Sequence, residues 1–534
     1  MGIMRVLLVN PFYPIDETPS PPLGLAFIAA VLEAAGIEVK ICDYVVFPYS
    51  REALADEIKV FNPAIMGLTS VTMTFETAMA VMRDAKSIDP TIKTVMGGPH
   101  VTFRAEATLK ENPELDAIIL GEGEETIVDL LRAIEQDTDW HAIKGLAFRD
   151  GEQIAHTGHK PPGIDVDRLP LPARHLLPLG RYRALNLSIS MITSRGCPFK
   201  CIFCVGRKMV GAQVRYRDPV KVVDEMELLA TYGFAQINLA DDLFTANARH
   251  CRAVCDEIVK RGLQIKWTSF ARVDTVSAEV LEKMKAAGCT AVSFGIESGS
   301  PAILKTVRKG ITRDQVVNAV KLCTQAGLQP HASFILGLPG ETEETLSQTL
   351  AFGEHLEKLG VAYGFHLLAP FPGTEVRDRC EDYEIQITTD DWRQYHANRA
   401  VVENRGIRAE RLDEVATGWM QRFDLWLGDV EERMQRGAAE KDEITQVVNL
   451  KRTVLLYDLM MGGLIEQYGS LPLEAGSLTD ADRLAQLSAR LSPHVKNPPT
   501  EIVDTLKHAL EEGNLVWESV DGDDRVCLRW IEYL

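Results

Sequence analysis

The first 150 residues alternate two kinds of apolar pattern. Short unbroken runs (RVLLVNP, EVKICDY, IMGLTSV, TVMGGPH, AIILGEG) close on small or polar residues. Between them, PPLGLAFIAAVLEAAGI, TFETAMAVMRDAKSI and EETIVDLLRAIEQ carry apolar positions at helical spacing. This βαβ rhythm predicts an α/β fold with a doubly wound, Rossmann-like parallel sheet over residues 1–150. Ligands of such sheets bind beyond the carboxyl ends of the strands, where the small residues fall. A proline-rich stretch, 151–186, reads as a linker. Six strand-then-loop units over 187–375 (SISMITSRGC, INLADDLFT, IKWTSFARVD, AVSFGIESGS, HASFILGLPGE, GFHLLAPFPGT) predict a partial (β/α)6 barrel, with its chemistry on the loops after the strands. Residues 376–534 turn mainly helical and end in two alternating strands around an Asp–Gly turn, a predicted hairpin. That last region reads either as a lid over the barrel that shapes a substrate pocket or as plain helical packing.

Charge and composition narrow the partners. The 534 residues carry a net charge of −19 at pH 7, which disfavours a phosphate-tracking surface and hence nucleic acid. No window approaches ~20 uninterrupted apolar residues, so no membrane span is expected. The start lacks the basic flank and cleavage site of a signal peptide, so a reducing cytoplasm is the expected compartment. There, clustered cysteines point to metal or redox chemistry more than to disulfides.

Three of the ten cysteines, Cys197, Cys201 and Cys204, sit in SRGCPFKCIFC on the loop after the first barrel strand. A structural zinc site asks for a fourth ligand, and the nearest histidines, His175 and His250, are not at zinc-finger spacing. Three thiolates on a four-iron cube leave one iron open, which is what catalysis requires. Zinc or chance spacing remain the alternatives on spacing alone. Cys251 and Cys255, four apart on a helix, read as core thiols, as do the isolated Cys42, Cys289, Cys323, Cys380 and Cys527.

The spacing C-x3-C-x-aromatic-C, with Phe203 as the aromatic, resembles the radical S-adenosylmethionine superfamily. The resemblance implies a [4Fe–4S] cluster on the three cysteines, with S-adenosylmethionine on the open iron as the source of a 5′-deoxyadenosyl radical. It further implies that Asp241 and Asp242 contact the methionine moiety, Arg272 its carboxylate, Glu297 and Ser298 the ribose, and Gly337 the adenine. Singly, each of these also reads as an ion pair or a helix cap. Upstream, NPFYP…PPLGL, GLTSVTMTF, GGPHVTF and GEGEET follow the order of the cobalamin-binding domain in the cobalamin-dependent members of that superfamily. This resemblance covers roughly residues 3–375. It implies cobalamin contacts from Pro22, Leu23, Gly24, Thr69, Ser70, Gly97, Gly98, Glu122, Gly123 and Glu124. A D-x-H-x-x-G motif is absent and His100 lacks its spacing, so no histidine is expected on the cobalt.

The activity implied is methylation of an unactivated carbon or phosphorus centre in a small-molecule or natural-product substrate. An external one-electron reductant of the flavodoxin or ferredoxin type would feed the cluster. The alternative is an oxidative cyclase or rearrangement enzyme with the same cofactors and no methyl transfer. A methylthiotransferase fits less well, because the first domain holds only Cys42. A cobalamin-binding sensor or carrier would have no use for an open iron. For substrate proton handling the candidates are His331, His366 and Tyr363 on barrel strands, each equally readable as core.

Overall fold

A computed structural model describes residues 4–13, 19–161, 163–472, 479–519 and 525–534. Seven strands build the first sheet: β1 (Arg5–Asn10), β2 (Glu38–Asp43), β3 (Ile65–Thr69), β4 (Lys93–Gly97), β5 (Ala117–Ile119), β6 (Leu146–Asp150) and β7 (Gln153–His156). The run VLLV in β1 is buried on both faces. Val6 and Leu8 meet the helices Leu23–Ala34 and Glu124–Gln136, whereas Leu7 and Val9 meet Arg51–Phe61 and Phe75–Ile88. Such two-sided burial is why these strands read as continuous apolar runs.

The strand order is β2-β1-β3-β4-β5-β6-β7, parallel through β5. The order reverses direction between β1 and β3, which places a binding crevice at the carboxyl ends of these central strands. The last two strands depart from the expected all-parallel sheet. β6 pairs antiparallel with β5, and β7 pairs antiparallel with β6. The sheet therefore runs past residue 150 into the segment read as linker. The rest of that segment holds a short helix, Leu179–Ala184, whose Arg181 and Tyr182 are fully buried. Arg181 donates to the Val46 carbonyl (3.1 Å), Glu466 (2.6 Å) and Glu532 (2.7 Å), tying the first sheet to the C-terminal region. Tyr182 donates to Asp43 (2.7 Å), whose carboxyl burial pushes up to about 6.

The second sheet begins with β8 (Ile189–Met191). A two-stranded ribbon, β9 (Ser194–Arg195) and β10 (Arg215–Tyr216), branches off next and brackets the cysteines. Then follow β11 (Ile237–Leu239), β12 (Trp267–Ala271), β13 (Cys289–Glu297), β14 (Gln329–Leu336) and β15 (Ala362–Leu367). All neighbours are parallel in the order β15-β14-β13-β12-β11-β8, an open partial barrel with β15 and β8 as its edges. Val292, Phe294, Ala332 and Phe334 face the outer helices and are wholly buried. Ser293, Gly295, His331 and Ser333, the alternate residues, line the concave face, where Phe270 stays 57% exposed.

After the barrel, β16 (Ile385–Ile387) and β17 (Val402–Asn404) form a small antiparallel ribbon. Helices follow, the longest being Ala409–Gln435 and Lys441–Met461. The predicted hairpin is present as β19 (Leu515–Ser519) and β20 (Arg525–Trp530), with β18 (Ser470–Pro472) added on the other side of β20. Its Asp521–Gly522 turn lies outside the described residues, as do residues 14–18 after NPFY.

Candidate functional site

The ribbon β9–β10 sets the cysteine loop. Gly196 has φ +121°, and a Cβ there would collide with the Gln213 carbonyl, so the turn into the motif admits only glycine. The Cys197 amide donates to the Gly211 carbonyl (3.1 Å), the Cys204 amide to the Cys201 carbonyl (3.3 Å), and the Gly206 amide to the Cys204 Sγ (3.3 Å). All three thiols are free. Burial pushes the Cys201 and Cys204 thiols up, while Lys309 and Arg272 pull Cys201 back. Among the described residues no three thiol, imidazole or carboxylate groups converge on a single ion. Donors spread along one loop, with an amide aimed at a sulfur, fit a multi-iron cluster better than a mononuclear site.

The residues predicted around S-adenosylmethionine take more varied roles. Asp241 is buried and engaged with Thr193, accepting from its amide and its hydroxyl (both 2.6 Å), and with the Ser194 hydroxyl (2.5 Å). It fixes the start of the cysteine loop, with both oxygens occupied by these donors. Asp242, exposed, accepts from the Gly196 amide (3.0 Å). Arg272 is buried, with Nε and Nη2 on Asp274 (both 2.9 Å), Nη2 also on the Lys309 carbonyl (2.7 Å), and its face 3.6 Å from the Phe199 ring centre. Its Nε and Nη2 are thus taken up by protein groups, and Nη1 has no hydrogen-bond partner among the described residues. Ser298 bonds Thr349 (3.0 Å) and caps Ser300, a packing role. Glu297, at φ +69°, holds the Lys309 ammonium at 2.7 Å. Gly337 (φ +84°) donates to Glu341 and lies under Leu412, whose Cδ1 would meet a Cβ at 2.9 Å. Phe203 packs half-buried against a core that includes Ile202 and Val307.

Of the proton-handling candidates, Tyr363 faces outward, packed at a tilt against Trp419 (4.4 Å between ring centres) and accepting from Arg422 (3.3 Å), away from the concave face. The reason is register, since the outward-facing Ala332 pairs with it. His331 and His366 do line the concave side, and burial holds both below the usual histidine range. The helix beginning at Ala409 lies against β15 through Trp419, and Leu412 reaches the Gly337 loop. Cys251 and Cys255 are fully buried thiols.

A cavity of about 290 Å³ opens at the switch point of the first sheet. Its depth is apolar (Leu8, Ile28, Val95, Ile119), and Gly24, Thr69, Gly97, Gly98, Glu122, Gly123 and Glu124 lie along it, all expected from sequence. At Gly24 and Gly97 a Cβ would meet nothing within 4 Å, so both leave open room where a side chain would stand. This shape suits a flat nucleotide base in the slot with a larger ring at the rim. Pro22, Leu23 and Ser70 do not line it. Pro22 starts the helix by accepting from the Ala26 amide (3.0 Å), and Ser70 is packed beneath Gly98, which has φ +104°. His100 is also apart from the cavity. It is stacked on Phe75 (4.3 Å) and edged by Trp392 (4.9 Å), with both ring nitrogens unpartnered and its pKa pushed by burial down to about 3.

Sequence reasoning missed the outer wall of this cavity. Arg195, Met209 and Val210, all from the cysteine loop and its stem, close one side. Arg195 pairs with Glu124 (2.6 Å) and Glu122 (3.3 Å), and Arg215, its neighbour on β10, grips Glu122 through Nη1 (2.9 Å) and Nη2 (2.7 Å). The loop that carries the three thiols is therefore also part of the crevice of the first sheet.

The comparisons with known proteins agree with this arrangement. The B12 binding domain family matches residues 17–131, and the Radical SAM superfamily matches residues 191–353. The chain is 35% identical over 423 residues to the uncharacterised methyltransferase PH0819 of Pyrococcus horikoshii, covering 78% of this chain and 91% of that protein. The chain belongs to the cobalamin-dependent radical S-adenosylmethionine enzymes. Their cofactors, a [4Fe–4S] cluster, S-adenosylmethionine and cobalamin, are accordingly its own. Another relative is the anaerobic magnesium-protoporphyrin IX monomethyl ester cyclase of Rubrivivax gelatinosus, 30% identical over 437 residues, covering 79% of this chain and 77% of that one. In fold, the chain matches the cobalamin-dependent S-adenosylmethionine radical enzyme OxsB, solved with aqua-cobalamin and S-adenosylmethionine. There the TM-score is 0.69 at 18% identity, over 96% of this chain and 79% of that one. No helix among the described residues is long and apolar enough to cross a membrane.

Proposed function

We propose that this family member is a methyltransferase acting on an unactivated carbon or phosphorus centre of a small molecule. The observation that carries the reading is the shared wall: Met209 and Val210, five and six residues after Cys204, line the glycine-rimmed cavity. A methyl donor on one side and a radical source on the other need this proximity. When bound, the cofactors supply a 5′-deoxyadenosyl radical and a transferable methyl group, and the chain supplies placement. Cys197, Cys201 and Cys204 would hold three irons and leave the fourth open. Gly24 and Gly97 would admit the cobalamin nucleotide tail, with Thr69 and the Gly98 backbone beside it. Glu122, Glu124, Arg195 and Arg215 would fix the wall between the two centres. With His100 enclosed by Phe75 and Trp392, no imidazole of the GGPH loop reaches the cavity. The Pyrococcus relative carries the methyltransferase name, which supports methyl transfer. The cyclase relative supports a second reading, the same cofactors without methyl transfer.

The two readings separate without knowledge of the substrate. Anaerobically reconstituted protein, reduced with titanium(III) citrate and given S-adenosylmethionine, should form one S-adenosylhomocysteine per bound cobalamin. 5′-Deoxyadenosine without any S-adenosylhomocysteine, from protein loaded with both cofactors, would favour the cyclase reading. An external reductant of flavodoxin or ferredoxin type would replace titanium in the cell.

A further inference from the structure

The sequence points to Arg272 for the carboxylate of S-adenosylmethionine, but its Nε and Nη2 are taken by Asp274 and the Lys309 carbonyl and its face by Phe199, which leaves only Nη1 uncommitted. Arg272 braces the cysteine loop. The other cation acting on Cys201 is Lys309. Its segment runs along the cysteine loop: the Ile202 amide donates to the Val307 carbonyl (3.3 Å), and the Cys201 Sγ lies 3.9 Å from the Arg308 carbonyl. The Lys309 ammonium lies over Gly295, 3.1 Å from where a Cβ would stand, with the Glu297 carboxylate 2.6 Å from the same point. Gly295 shares its face of β13 with Ser293, opposite the buried Val292 and Phe294, so this pair sits on the concave side of the barrel. Across Ser333 on the same concave face, a Cβ added at Gly364 would meet nothing within 4 Å, so the face is open two strands from the pair. The pair is only 7% exposed at each residue. Glu297 takes one of the three donors of the ammonium, and two remain.

We propose that Lys309, held in place by Glu297, is the cation that receives the carboxylate of S-adenosylmethionine. A carboxylate has two oxygens, so one can meet the open iron while the other accepts from the ammonium. Glu297 is then a positioning residue, and its positive φ is the backbone conformation that turns its carboxylate back over Gly295. The inference rests on the cysteine loop holding the cluster and not on methyl transfer, so either can fail alone.

The test compares Lys309→Met, Lys309→Gln and Lys309→Arg in reconstituted holoprotein, by equilibrium dialysis with S-adenosylmethionine and with decarboxylated S-adenosylmethionine. Iron content and the paramagnetic resonance signal of the reduced cluster are followed alongside. Lys309→Met and Lys309→Gln should weaken S-adenosylmethionine roughly ten- to a hundredfold, as loss of a charged hydrogen bond does, at full iron content. Binding of the decarboxylated compound should not change, and Lys309→Arg should restore most of the affinity. Unchanged S-adenosylmethionine binding overturns the proposal. So does equal weakening of both compounds, or loss of iron in both neutral variants, since each assigns Lys309 a structural role.

Discussion

Glu122→Gln tests whether the wall that the cysteine loop lends to the first-sheet cavity is held electrostatically. Glu122 is the carboxylate that Arg215 grips with two nitrogens, at 2.9 and 2.7 Å, and its side chain is only 6% exposed against 14% for Arg215. Removing one partner of a buried ion pair costs about 3–5 kcal/mol when the other is left without compensation. Here Arg215 keeps the Ile164 and Val210 carbonyls, at 2.8 Å each, and glutamine keeps one acceptor, so the lower end, about 3 kcal/mol, is the fitting figure. Arg195 retains Glu124. A loosened ribbon must be reordered when cobalamin binds, and that cost subtracts from affinity. Spectrophotometric titration with hydroxocobalamin should show at least about tenfold weaker binding, equivalent to 1.4 kcal/mol. In a double-mutant cycle with Arg215→Met, the coupling energy should exceed about 1 kcal/mol. Effects that add to within about 0.5 kcal/mol would refute an energetic link between Glu122 and the β9–β10 ribbon.

Further outcomes follow from other contacts. His100→Phe should keep the stack on Phe75 and leave the bound-cobalamin spectrum unchanged; a changed spectrum would mean that this imidazole reaches the cobalt. The same variant should soften acid sensitivity. The folded-state pKa is lowered to about 3, so acidification below about 6.5 protonates the unfolded chain first, and stability falls between those two values. Wild type should lose up to about 1.4 kcal/mol more per pH unit than the variant in that window, measured by denaturant titration at stepped pH. Cys201→Ala should lose cluster iron and 5′-deoxyadenosine formation while still binding hydroxocobalamin; retained cleavage would remove Cys201 from the ligand set. Arg181→Met leaves the partly exposed Glu466 and Glu532 without their shared partner and should lower stability by about 1–3 kcal/mol, read by thermal melting and by faster proteolysis.

The elements and the thiol loop were legible in the sequence because each rests on a local signal. Apolar runs ended by small residues mark the parallel strands, and three cysteines seven residues apart end to end need no partner to be recognised. The antiparallel pair β6–β7 had such a signal too: GLAFRDGEQIAH alternates around Asp150–Gly151, and Gly151 adopts φ +62°. It was hidden by the helical rhythm ahead of it. Side-chain partners were less legible, because they are settled between elements far apart in the chain. Nothing local tells Asp241, turned onto Thr193 and Ser194, from Asp242, turned toward Gly196. Arg272 reads as a free fork until Asp274 and the carbonyl of residue 309 are seen to take up its Nε and Nη2. The Glu122–Arg215 grip spans 93 residues and two sheets, and only folding brings it together.

The position of Met209 and Val210 also bears on how the protein ages. On the proposed placement, a cluster destroyed by oxygen would free the loop from Cys197 onward, and the same loop closes one flank of the first-sheet cavity. Samples handled in air should therefore fade in both of their colours together, and iron restored without shelter from oxygen would not keep the pink one.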